Sequence, residues 1–71
     1  MKKFNEQNMK AIYSKDSDKV YIAYGSKRVM NVTEISKHYD IAGKNGMQIA
    51  EIVFNANKKM AKDIVLDYLG A

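Results

Sequence analysis

"GMQIAEIVFNANKKMAKDIVLDYLG", residues 46–70, decides the fold. Its apolar residues recur at three- and four-residue spacing, the period of an α-helix. Asn45 stands where an N-cap belongs, and Gly70 stands where a glycine closes a helix. With Ile49 set at 0° and 100° per residue, the apolar arc covers roughly 220°, against the ~100° that a surface helix needs. Ile49, Ile52, Val53 and Phe54 make the first half apolar almost all round. The second half has a narrower stripe backed by Lys58, Lys59, Lys62 and Asp63.

Length adds to the surplus. A helix over 46–69 rises about 36 Å. A compact chain of this size is about 28 Å across. The helix therefore overhangs its support, or it breaks near "NANKK" (55–59), where Asn55 and Asn57 are weak helix formers. If it stays whole, the extra face is expected to meet a second copy of the chain or a partner protein. The alternative cover is a short helix just upstream.

Upstream of the helix the period changes to two. "MKAIYS" (9–14) and "KVYIAY" (19–24) read as strands around the turn formers "KDSD" (15–18). "GSK" (25–27) is a second turn, and "RVMNV" (28–32) a third strand. "TEISKHYD" (33–40) reads as a short helix, with Asn31 or Thr33 as its cap and Glu34 at capping-box spacing from Asn31. The expected fold is α+β: a three-stranded antiparallel meander packed on one long C-terminal helix, with a short helix between, in the order β-β-β-α-α. Residues 1–8 are expected to be a flexible lead-in, and 9–71 a single domain.

Seventy-one residues without cysteine make a thin core that no disulfide or thiolate metal site reinforces. Self-association is the usual remaining aid for so small a scaffold. No apolar run reaches the ~20 residues of a membrane span. The basic start, "MKKFNEQNMK", lacks the apolar segment of a secretory signal. The expected location is cytoplasmic. The abundance of Lys, Asn, Ile and Tyr, with no proline, is a look shared with small proteins of phages and mobile elements.

The net charge is +4, and Arg28 is the only arginine among twelve basic residues. Lysine suits phosphates in general, whereas arginine is the fork that reads guanine edges. Any nucleic-acid contact, to DNA or RNA, is thus expected through the backbone. If Val20 and Ile22 face the helix, Tyr21 is on the outer side of the sheet, and Tyr13 is expected beside it across the hairpin. Lys10, Lys15, Lys19, Lys27 and Arg28 lie near in sequence. Tyrosines ringed by lysines on a sheet form a stacking platform for unpaired bases. Lys58, Lys59 and Lys62 supply a second basic patch. The competing expectation is a phage-type inhibitor or antitoxin that acts on a host protein through Ile49, Ile52, Val53 and Phe54.

"VTEISKHYDIAGKNGMQIAEIV" (32–53) resembles the helix-turn-helix segment of bacterial regulators, with Ile35 inward and Ile41 closing the turn. The resemblance implies a second helix that enters the major groove with Lys44, Asn45, Met47 and Gln48. The two glycines in "IAGKNGMQ" depart from the tight turn of that motif.

No catalysis, cofactor or metal is expected. His38 is the only histidine and has no carboxylate pair nearby. "GKNG" (43–46) lacks phosphate-loop spacing, and Asp16 and Asp18 lack the downstream glutamate of a calcium loop.

Overall fold

A computed structural model describes residues 3–70. It has three strands, β1 (Met9–Ser14), β2 (Lys19–Tyr24) and β3 (Lys27–Thr33), and two helices, α1 (Ile35–His38) and α2 (Gly46–Tyr68). The strands form one antiparallel meander in the order β1-β2-β3, and α2 packs on one face of it. This is the α+β arrangement expected from the periodicities.

The core sits between sheet and helix. Met9, Val20, Ile22, Ile35, Ile49, Val53 and Ala61 form one buried cluster, and Val65 is buried further along α2. Fully burying a side chain of the Val or Ile class stabilises by about 1.5–3 kcal/mol. Five such side chains, Val20, Ile22, Ile35, Val53 and Val65, are shielded completely.

α2 is continuous through "NANKK". Asn57 is accommodated because its amide donates to the Val53 carbonyl (2.8 Å) and to the Tyr39 hydroxyl (3.1 Å). Asn45 caps the helix through a reciprocal pair with Gln48: its side chain accepts from the Gln48 N–H at 2.9 Å, and Gln48 Oε1 accepts from the Asn45 N–H at 3.0 Å. Gly70 ends it with φ +75°. At 23 residues α2 is about 35 Å long. The longest strand, β3, has seven residues and spans about 23 Å, so α2 is longer than the sheet it packs on.

α1 is shorter than expected and is capped differently. Asn31 and Thr33 belong to β3, which runs to Thr33, and Glu34 sits in the left-handed region at φ +57° without a side-chain cap bond. The cap comes instead from the β1–β2 turn. The Asp18 carboxylate accepts from the Ser36 N–H (3.1 Å) and from the Ser36 hydroxyl (2.6 Å), and the Asp18 carbonyl accepts from the Ile35 N–H (3.1 Å). Asp18 itself takes φ +50°, a backbone setting that Asp tolerates better than most residues.

The flexible lead-in expected over 1–8 includes residues 1 and 2, which lie outside the described residues. Residues 3–8 run beside the second half of α2. Phe4 stacks on Tyr24 with ring centres 5.7 Å apart, and Glu6 pairs with Lys58 of α2. The Lys58 ammonium, through its hydrogen bond and its charge, holds the Glu6 carboxyl below its ordinary value.

Candidate nucleic-acid interface

The hairpin register determines which side chains share the solvent face. A four-residue loop (15–18) joins β1 and β2, with Ser14 opposite Lys19, Ile12 opposite Tyr21 and Lys10 opposite Ala23. Facing pairs lie on the same side of a sheet. On the other edge of β2, Lys19 faces Thr33, Tyr21 faces Asn31 and Ala23 faces Arg28. The outer face is thus three rows: Lys10–Ala23–Arg28, Ile12–Tyr21–Asn31 and Ser14–Lys19–Thr33. None of these positions is acidic.

Arg28 reaches this face through an irregularity. The β2–β3 register shifts between Ile22, which faces Met30, and Ala23, which faces Arg28. Val29 is the extra residue. Without it the ladder would set Arg28 opposite Tyr24, on the helix side. A bulge of this kind commonly re-aims one side chain. Gly25 supplies the other local device. At φ +61° it opens the two-residue β2–β3 loop, a setting that suits glycine.

Tyr21 is the centre of the face. The Arg28 guanidinium carbon lies 4.0 Å from its ring centre, and the Lys19 ammonium lies 4.9 Å from it. Both distances are within cation–π range. Hydrogen bonding from Lys19 and then from Ser17 lowers the Tyr21 phenol below its ordinary value, and the charges of Lys19 and Arg28 act in the same direction. Beside the ring is an open depression of about 420 Å³, lined by Lys10, Ile12, Tyr21, Ala23, Gly25, Ser26 and Arg28. Its floor is low because Ala23 stands between two long basic side chains.

The remaining expected contacts are dispersed. Tyr13 faces Val20 and so lies on the helix side, near Gly46 at the start of α2. The expectation that it sits beside Tyr21 is corrected by the loop length: four turn residues fix its parity with Val20. Lys15 is in the β1–β2 turn, at the far end of the sheet. Lys27 turns toward the C-terminal end of α2, with its ammonium 4.4 Å from the Tyr68 ring centre. Lys58, Lys59 and Lys62 are on α2, which packs on the opposite face of the sheet. Lys58 is paired with Glu6, and the Lys62 ammonium lies 5.3 Å from the Phe4 ring centre.

Two other expected surfaces change character. Ile49 and Val53 are core residues and cannot meet a partner, whereas Ile52 and Phe54 are half-buried. The helix-turn-helix resemblance is not carried into the fold. Thr33 ends a strand, α1 has four residues, and the first turns of α2 bury Ile49, Ala50 and Val53 against the sheet. Met47 is the large apolar side chain of that segment left exposed, at 84%. It borders an apolar groove of about 250 Å³ between β1 and α2, together with Met9, Ala11, Ala50 and Phe54.

Among the described residues there is no cluster of three His, Cys, Asp or Glu side chains able to hold a metal ion, and no helix long and apolar enough to cross a membrane. No family model, curated protein or solved structure matches this chain.

Proposed function

We propose that the protein is a small non-catalytic nucleic-acid-binding factor, a regulator or accessory protein, that holds phosphates on the outer face of its sheet. One observation carries this reading: Lys10, Lys19 and Arg28 surround Tyr21 on a face without a carboxylate. Cations there meet phosphate, and an aromatic ring among them offers a surface for a base. Fluorescence anisotropy with labelled single-stranded and duplex oligonucleotides tests the proposal. About three phosphate contacts should give a log–log salt slope near −2 on a single strand. Changing Lys10, Lys19 and Arg28 together to Glu should abolish binding, while Lys44→Glu, in the loop before α2, should leave most of it. Absence of binding at low salt to any of these oligonucleotides refutes the reading.

A second reading, an inhibitor acting on a host protein, is favoured by the groove beside Met47. Phe54 is the one residue of the originally expected interface that borders it. Affinity capture with the wild-type chain and with Met47→Glu separates the two readings, because the substitution should release a protein partner without touching nucleic-acid binding.

A further inference from the structure

We infer that the second half of α2 binds a second copy of this chain, antiparallel, about a twofold axis at Met60. The inference is independent of the nucleic-acid reading, since it uses the other side of the molecule.

Three large apolar side chains on this half of α2 are uncovered: Met60 is 58% exposed, Ile64 38% and Tyr68 53%. With Ala56, also exposed, and Ile52, half-buried, they stand at four-residue intervals. That spacing defines one continuous ridge on a helix. Two such ridges interdigitate when the helices cross near −50°.

The order of side chains along the ridge matches its own reverse. In a twofold pair each contact occurs twice, residue i with j and j with i. Centred on Met60, the small Ala56 meets the large Ile64 of the other copy, and Met60 meets Met60. Ala56 provides the room that Ile64 fills. At this crossing angle the helices diverge before Ile52 and Tyr68, which become the rim.

Charge fixes the same register. Lys59 and Asp63 lie on one flank of the ridge, and neither belongs to an ion pair among the described residues. Antiparallel helices bring identical flanks together. The axis at Met60 then sets Lys59 of each copy against Asp63 of the other, about two residues apart along the helix. Ala61 and Val65 are buried on the core side of this half, while Met60 and Ile64 stay exposed, so the ridge is open to a second helix.

One helix crossing buries less than the roughly 1,200 Å² of a standard interface. Association is therefore expected in the micromolar range. Sedimentation equilibrium from micromolar to millimolar protein should show the mass rising to twice that of the chain. Lys59→Asp and Asp63→Lys should each weaken the dimer at least tenfold, and the two together should restore it. Because the chain has no cysteine, Met60→Cys gives a single thiol that should oxidise rapidly to a linked dimer, while Met47→Cys should not. Circular dichroism verifies that each variant is folded. A monomer at every concentration overturns the inference. So does failure of the double variant to recover, or faster linking through position 47, which would place the contact at the β1 groove.

Discussion

The Arg28 guanidinium lies over the Tyr21 ring, its carbon 4.0 Å from the ring centre, and it does so from a strand position that an unbroken ladder would have turned toward the helix. The arginine and the ring thus form one unit made by a bulge. A planar guanidinium that stacks by its face keeps its edge donors free. It can hold a phosphate without leaving the tyrosine.

Substitutions at this pair should separate stacking from charge. Tyr21→Leu should weaken single-strand binding by about 5- to 150-fold, the range of one base–aromatic stack. Tyr21→Phe should keep nearly all of it. Arg28→Lys should lose more than a simple exchange of cations predicts, because an ammonium cannot stack and donate at once. Anisotropy titrations at one fixed salt concentration read all three.

The Tyr21 phenol should ionise below the ordinary tyrosine value. Lys19 and Ser17 favour its anion, so its folded-state pKa is lowered from the ordinary value of 10.0. The sign follows directly. A lowered acid pKa stabilises the fold above the unfolded-state value, and the effect disappears as pH falls through the folded-state value. Stability at neutral pH is untouched. In a spectrophotometric titration, Tyr21→Phe should remove a phenolate step that lies below the ordinary value, and Lys19→Gln should move that step to higher pH.

Asp18 should be worth more than its place in a surface turn suggests. It supplies the acceptors that start α1, and α1 inserts Ile35 into the core. Asp18→Ala should destabilise by about 1 kcal/mol, as loss of a helix cap does. Asp18→Asn keeps an oxygen acceptor and should lose less. Urea unfolding monitored by circular dichroism measures both.

Ile35 should be among the least replaceable residues. It is fully buried although it opens a helix of only four residues. Ile35→Ala should cost about 2–5 kcal/mol. A chain this small is expected near the lower end of the usual 5–15 kcal/mol. Thermal melting should therefore show the variant largely unfolded at 37 °C, while Ile35→Val should remain folded.

Much of this architecture is legible in the sequence because local signals agree. Alternation marks β2, Asn45 and Gln48 mark the start of α2, and Gly70 marks its end. The side-chain direction of Tyr13 was misread, because strand alternation was followed without the loop length: four residues between 14 and 19 fix its partner as Val20. The position of Arg28 was not legible. A bulge adds one residue without changing composition or hydrophobic pattern, so alternation alone assigns Arg28 to the wrong face. The cap on α1 was equally hidden, because Asp18 acts from a different part of the chain. The width of the helical face was read correctly, but not its division. Sheet packing uses Ile49 and Val53, and what stays exposed is the ridge around Met60.

The overhang of α2 also sets how the molecule opens. The second half of the helix meets residues 3–8 through Phe4 beside Lys62 and the Glu6–Lys58 pair, whereas its first half buries Ile49, Ala50 and Val53. Amide hydrogen exchange should divide along that line. Protons in β2 and in the first turns of α2 should exchange only by global unfolding, and those beyond Lys58 by a smaller excursion that peels the first few residues away from the last turns of the helix.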